Sequence, residues 1–451
     1  MTDPASFKKQ AREELYELLR IPSISTDPAH KEDVQRAADY VETGLKRAGM
    51  TRTEQIRVGA GHPLVYGEWL GAEGRPTLLL YGHYDVQPVE PLEEWLSPPF
   101  EPTERDGNVY ARGACDDKGQ TWILVKAVEW LMQRDGRLPV NIKFLIEGEE
   151  ECGGESIAAF VEEQGAGLAA DAAVICDSEM FAPELPSICT GLRGIVYGDL
   201  VVEGPRTDLH SGVYGGAAPN PVMAVAEILT ALKGRDGKIT IPHFYDRVAE
   251  PAREEMEAWE RLPFDEEEYR KKEVGSPELT GEAGYSVLER VWARPTLEVH
   301  GIRGGFTGEG AKTVIPARAV AKVSLRLVAD QRPEEAVEQL KAAIEGVTPV
   351  GVRARFEVLH AGAPSLVNPD SAFIRTAASA MEEIFGNKTV YMRSGGSIPI
   401  VGLFDRHLGI PSVLMGFGLP DDNLHAPNEK FYLANFDRGI EAVALYLERL
   451  G

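Results

Sequence analysis

Five short segments of this 451-residue chain carry side chains that bind hard metal ions or move protons. In His83-Tyr84-Asp85, a spacing of two along extended backbone puts imidazole and carboxylate on one side. The imidazole could ligate a metal while Asp85 orients it from behind; a structural ion pair is the competing reading of an isolated His-x-Asp. In RGACDDKG, Arg112 to Gly119, adjacent carboxylates ahead of a helix could cap it, or could bring one carboxylate between two cations. In EGEEECGG, Glu147 to Gly154, four glutamates within five residues follow an apolar run and repel one another unless cations are present. Metal is the more economical explanation there. Asp177 follows Val174-Ile175-Cys176, and His425 lies in PDDNLHAPNE; each is unremarkable alone. Together the five supply two imidazoles and several carboxylates, a set that suits Zn²⁺ or Mn²⁺ better than calcium.

These segments need a scaffold, and the first half of the chain alternates strands and helices as an α/β sheet does. Apolar spacing predicts helices over Phe7 to Leu19, Val34 to Leu45, Gln120 to Leu131 and Ser156 to Glu163. Short apolar runs predict strands over Thr77 to Tyr81, Val140 to Ile146 and Ala172 to Cys176. Each strand run stops just before one of the ligand-bearing segments, and ligands of open α/β sheets bind at the carboxyl ends of strands.

After about residue 190 the rhythm changes. A strand near Ile195 to Val202, a helix from Pro221 to Leu232, strands near Thr296 to Val299 and Ala319 to Val328, a helix from Pro333 to Ile344 and a strand near Val352 to Val358 give the order of a split βαβ sandwich. The acidic stretch Phe244 to Arg290 reads as a solvated, largely helical excursion. From about Ser365 the α/β pattern returns, with a helix from Ala372 to Phe385, a strand near Ile410 to Met415 and a helix from Phe436 to Leu447. The expected architecture is a discontinuous α/β catalytic domain, residues 1–190 and 364–451, its mixed sheet covered by helices on both faces. An α+β split-βαβ (ferredoxin-like) lid and dimerisation domain, residues 191–363, is inserted into it.

Composition bounds the function. A chain of this length exceeds one ordinary core, and 43% hydrophobic with 26% charged residues is a globular composition. The net charge of −24, spread along the chain, opposes binding to nucleic acid and to anionic membrane surfaces. No run is long and apolar enough to span a membrane, and MTDPASFKKQ lacks the apolar core of a secretory signal, so a cytoplasmic protein is expected. Cys115, Cys152, Cys176 and Cys189 form no CxxC pair, and neither a disulfide framework nor a catalytic role is expected of them.

The ordered series HYDVQP, RGACDDKG, EGEEECGG, CDSEM, DLHSGVYGG, WARPTLEVHGI, GFTGEGAKTVIP, RSGGSIPIV and PDDNLHAPNEK covers most of the chain. It resembles the M20 family of dinuclear metallopeptidases, and within it the branch of the cytosolic nonspecific dipeptidase and carnosinase. The resemblance implies that His83 and Asp177 hold one metal, Glu151 and His425 the other, and that Asp116 bridges them, with a cis peptide bond between Asp116 and Asp117. It implies Glu150 as general base, Asp85 as support for His83, and His210 reaching the neighbouring subunit's site to steady the oxyanion, hence a homodimer. Arg326 matches the arginine that grips the substrate carboxylate. Thr313, His360 and the Gly395-Gly396-Ser397 loop match other substrate contacts; for Thr313 and His360 ordinary structural hydrogen bonding is an equal alternative. His30, His62, His243, His300 and His407 match no ligand position.

Two ions roughly 3.5 to 4 Å apart acidify a bridging water and polarise the scissile carbonyl, and Glu150 could take that water's proton and pass it to the leaving amine. The implied reaction is hydrolysis of a dipeptide with Zn²⁺ or Mn²⁺. The same metals and base would serve an N-acyl amino acid hydrolase of the aminoacylase or desuccinylase type, or a carboxypeptidase. A non-catalytic metal-binding protein on this fold would be expected to lack the base or a ligand, and all six residues are present.

Overall fold

The computed structural model describes residues 3–451, which form two compact units: residues 3–190, 367–392 and 403–451, and residues 191–366 and 393–402. In the first unit the sheet order is Arg52–Ile56, Leu64–Trp69, Asn141–Glu147, Thr77–His83, Ala172–Ile175, Ser412–Leu414 and Ser187–Leu192. The four strands Asn141–Glu147, Thr77–His83, Ala172–Ile175 and Ser412–Leu414 run parallel, with antiparallel partners on either side. Alternate residues explain why the parallel strands read as continuous apolar runs. Leu78, Leu80, Phe144 and Val174 point into one core, and Leu79, Tyr81, Leu145 and Ile175 are just as buried on the other face.

The first of these cores gathers the inner faces of helices Pro4–Leu19, Lys31–Arg47, Lys118–Asp135, Ala372–Phe385 and Leu433–Leu450. Ala372–Phe385 starts where expected, and the others start two or three residues before the expected position because capping residues precede the apolar stripe: Asp3 caps the first by accepting the Ser6 N–H at 3.0 Å, with Pro4 at the first helical position. Lys118–Asp135 is buried along most of its length, which is why its hydrophobic period is weak. The strands Arg52–Ile56 and Leu64–Trp69 were not expected. The first is RTEQI, an edge strand with almost no apolar content to betray it.

The second unit holds strands Gly194–Glu203, Thr296–Gly304, Arg318–Leu327 and Arg353–Gly362 with helices Pro221–Leu232 and Pro333–Val347. The chain order is β-α-β-β-α-β, and the antiparallel sheet runs Thr296–Gly304, Arg318–Leu327, Gly194–Glu203, Arg353–Gly362. Val196, Leu200, Val202, Val323 and Leu325 from the sheet close a core with Val225, Ile228, Leu340 and Ile344 from the helices.

The acidic stretch departs from its expected form. It contains short helices Arg253–Glu260, Glu266–Glu268 and Val287–Trp292 with a π-turn at Tyr269–Val274, joined by irregular backbone. It is also anchored rather than merely solvated. Trp259 is buried edge-on against Trp292, Glu282 receives a two-pronged bond from Arg294 at 2.9 Å on each oxygen, and Glu255 does the same for Arg393.

Candidate metal centre

Strand register gathers the first residues. His83 pairs with Glu147 at the carboxyl ends of adjacent parallel strands, and Tyr81 pairs with Ile175, so the chain leaving Ile175 brings Asp177 level with His83. Asp116 arrives from the turn before helix Lys118–Asp135, where Gly113 takes φ +79°, a conformation costly for any residue with a Cβ. The Asp116–Asp117 peptide bond is cis. His425 comes from the loop after Ser412–Leu414 and itself adopts φ +60°.

Two groups of ligand atoms result, His83 with Asp116 and Asp177, and Asp116 with Glu151 and His425; within each group the atoms lie within 4.8 Å of one another. Asp116 belongs to both. Its Oδ1 stands 3.1 Å from His83 Nε2 and its Oδ2 2.9 Å from His425 Nε2, while His425 Nε2 is 3.4 Å from Glu151 Oε2. His83 Nε2 and Glu151 Oε1 are buried without a hydrogen-bond partner, a state that costs free energy unless something else satisfies them. Two divalent cations fit this donor set of imidazole nitrogens and carboxylate oxygens.

The flanking groups fix the ligands. The other ring nitrogen of His83 faces Asp85, 3.2 Å from its carbonyl oxygen and 3.4 Å from Oδ1. That places the ring proton on Nδ1 and frees the Nε2 lone pair. Asp85 Oδ2 accepts the Glu151 N–H at 3.1 Å, and Gln87 donates to Glu151 Oε2 at 2.8 Å. Asp117 is in neither ligand group; its Oδ2 accepts from Thr121 Oγ1 and the His83 N–H.

The glutamate run divides by task. Glu147 is buried and accepts the Tyr81 hydroxyl at 2.6 Å; Glu149 accepts the N–H groups of His62 and Ser156 and so ties down the start of the next helix. Glu150 and Glu151 remain for the cluster. Burial, reinforced by neighbouring carboxylates, pushes Glu150 up to about 7, Glu151 to about 10 and Asp177 to about 6. Burial would raise Asp116 as well, but the imidazoles of His425 and His83 beside its two oxygens outweigh it and hold that carboxylate below its usual range.

The remaining predicted residues lie in the second unit. Arg326 Nη1 donates to Ser397 Oγ at 2.9 Å, and Ser397 Oγ donates to the Arg193 carbonyl. Arg193 in turn bonds the Gly395 and Gly396 carbonyls. His360 is held below its usual pKa by burial and by the charge of Arg326. His210 and Thr313 meet at a separate two-residue ladder, where His210 pairs with Val314 and the Ser211 N–H donates to the Thr313 carbonyl at 3.0 Å. The exposed His210 ring accepts the Gly212 N–H at Nδ1, 3.0 Å away, so its neutral form carries the proton on Nε2.

One residue beside the candidate ligands was given no role from the sequence. Glu429 is fully buried against the turn that carries Asp116. Its signal was there only in part, as a carboxylate four residues beyond His425 in a segment that otherwise reads as a polar loop.

A family model described as peptidase family M20/M25/M40 matches residues 79–449. The chain is 33% identical over 448 residues to the Cys-Gly metallodipeptidase dug1 of Schizosaccharomyces pombe, covering 95% of this chain and 93% of that protein. It is 32% identical over 442 residues to the Beta-Ala-His dipeptidase of Homo sapiens, covering 94% and 86%. The solved structure of an M20 family metallo-carboxypeptidase, Sso-CP2 from Sulfolobus solfataricus, superposes with a TM-score of 0.86 at 32% identity and covers 98% of this chain and 99% of that one. With a match across both units and a two-group ligand cluster on the first, this chain belongs to peptidase family M20/M25/M40.

Proposed function

We propose that the protein is a dinuclear metal-dependent dipeptidase. The observation that carries this reading is Asp116 turning one carboxylate oxygen to each of two histidines, beside a glutamate that ligates neither. His83 and Asp177 would hold one ion, Glu151 and His425 the other, and Asp116 both. Zn²⁺ and Mn²⁺ both suit these donors. When bound, the ions supply polarisation of the scissile carbonyl and acidification of water.

The chain supplies the rest. Glu150, buried beside the cluster but in neither ligand group, takes the proton of the attacking water and returns it to the leaving amine nitrogen. Asp85 keeps His83 in the required tautomer. His210 offers Nε2–H to the developing oxyanion, and Arg326, with no carboxylate among its hydrogen-bond partners in the described residues, takes the substrate's terminal carboxylate as a planar fork. Thr313, His360 and Gly395 to Ser397 complete the substrate contacts. The protein works as a homodimer with His210 acting in trans. The exposed apolar side chains Val213, Tyr214, Met223, Val299 and Ile302 of the second unit support that reading. Among the described residues no helix is long and apolar enough to cross a membrane, and we place the enzyme in the cytoplasm.

The likeness to a metallo-carboxypeptidase supports a second reading, removal of C-terminal residues from longer peptides. The test is a panel of dipeptides, tripeptides and N-acetyl amino acids, assayed with metal-reconstituted wild type and Glu150→Gln and with metal content measured on both. Fastest cleavage of dipeptides, with two ions retained but activity reduced roughly 10²- to 10⁴-fold in Glu150→Gln, supports the proposal. Faster cleavage of tripeptides favours the carboxypeptidase, and of N-acetyl amino acids an acylase. No cleavage by a protein holding two ions would leave a metal-binding protein.

A further inference from the structure

The turn that carries Asp116 is held by a carboxylate with no place in the chemistry above. Glu429 Oε1 accepts the main-chain N–H groups of Cys115 at 2.9 Å and Asp116 at 3.1 Å; Oε2 accepts the Gly113 N–H and Arg112 Nη1, both at 2.8 Å. All four acceptor directions of the carboxylate are therefore filled, and both Glu429 and Arg112 are within 1% of complete burial. Arg112 passes the restraint on, donating to the Pro88 carbonyl and lying over the Trp95 ring. The Glu429 main chain is fixed too: its carbonyl accepts the Ala111 N–H, and the next residue, Lys430, pairs with Tyr110 in a short ladder.

We propose that Glu429 is a positioning residue for the shared metal ligand: its carboxylate shapes the Gly113–Asp116 turn, and with it the Asp116 carboxylate, before any ion arrives. The inference rests on the reading of Asp116 as the ligand common to both ions. A buried ion pair is a poor stabiliser beside an apolar pair of equal volume, so stability alone does not account for Glu429 and Arg112 in this position. Specificity of backbone geometry does, because three of the four donors are consecutive or near-consecutive N–H groups of the ligand turn, including that of Asp116 itself. The same residue stands four positions beyond His425, so one segment carries a ligand of one ion and the clamp on the ligand of both.

The test is metal affinity, measured by competition with a chromophoric chelator using Zn²⁺ and Mn²⁺ separately. Glu429→Gln keeps the size and the Oε1 acceptor but turns an NH₂ group against Gly113 N–H and Arg112. Its affinity is expected to fall tenfold or more, as for other residues that orient metal ligands. Glu129→Gln, which breaks the buried Lys126–Glu129 pair elsewhere in the first unit, is expected to lower Tm and leave both affinities within twofold. Unchanged affinity in a folded Glu429→Gln overturns the inference. If that variant does not fold, hydrogen exchange in chelator-treated wild type decides: the Gly113, Cys115 and Asp116 amides should stay protected without metal, and free exchange there overturns it. A wild type that takes up no second ion overturns the shared-ligand reading and this inference together, whereas normal uptake by Glu429→Gln overturns this one alone.

Discussion

Nε2 of His425 and Oδ2 of Asp116 lie 2.9 Å apart across 309 residues of sequence, and the opposite oxygen of the same carboxylate faces His83. Neither histidine can shift without disturbing what the other faces, because a carboxylate moves as one rigid group. On the proposed assignment, Asp116→Asn should release both ions and reduce activity by more than the roughly 10- to 100-fold typical of residues one layer further out. His425→Ala should release one. Metal analysis after gel filtration distinguishes the two; retention of both ions by Asp116→Asn would remove Asp116 from its shared role.

Metal binding should release protons. In the metal-free chain burial and neighbouring carboxylates hold Asp177 at about 6, Glu150 at about 7 and Glu151 at about 10, and cations favour the ionised forms. Affinity for Zn²⁺ or Mn²⁺ should therefore rise with pH through that range. Titration calorimetry in buffers of different ionisation enthalpy reads the proton count directly, and buffer-independent heats near pH 6 would contradict it.

The same groups set the pH dependence of stability without metal, and the sign follows from their raised values. Between 4.5 and about 7 for Glu150, and 3.8 and about 6 for Asp177, the folded chain holds protons that the unfolded chain has lost. Metal-free protein should lose stability as pH rises through this window, and the metal-loaded protein should lose less. Denaturant midpoints across the window, with and without a chelator, check this.

How much of this was legible beforehand depends on how each feature is encoded. Helices Pro221–Leu232 and Ala372–Phe385 start and stop where apolar period, a proline at the start and a following glycine or lysine place them. Thr77–His83 is legible because it is buried on both faces. The edge strand Arg52–Ile56 is not, since its place is set by pairing with Leu64–Trp69 and its own side chains say little. At the site, residue types suggested metal, but which residues belong together came from family resemblance. Spacing cannot show that Tyr81 aligns with Ile175 and so brings Asp177 beside His83. The division of Glu147 and Glu149 from Glu150 and Glu151 was equally hidden, because it depends on Tyr81, His62 and Ser156 supplying donors from elsewhere.

Glu129→Gln should cost about 2 kcal/mol of folding stability, the worth of a hydrogen bond to a charged group, because the fully buried Lys126 ammonium loses its 2.6 Å partner but keeps Glu14 at 2.7 Å. Dipeptide turnover at a temperature where the variant is folded should match wild type. A loss in kcat at full folding would place helix Lys118–Asp135 under a functional constraint beyond packing.

Arg326→Ala should raise KM for dipeptides roughly 10- to 100-fold, the worth of about 1.5 to 3 kcal/mol for hydrogen bonds to a charged group. Dipeptide amides, which lack the carboxylate, should be poor substrates for wild type and no poorer for the variant. Equal preference of wild type for acids and amides would remove the carboxylate-binding role.

The first unit is assembled from chain segments on both sides of the second, and this imposes an order in time during synthesis. A nascent chain displays His83, Asp116, Glu151 and Asp177 long before the ribosome reaches His425 and Glu429. Until then it has three acidic side chains and one imidazole, the turn carrying Asp116 has no clamp, and one of the two ligand groups lacks its histidine. On the proposed ligand assignment, hydrolytic capacity is withheld from the growing polypeptide and from its neighbours on the polysome until the segment carrying His425 and Glu429 has been translated and folded back.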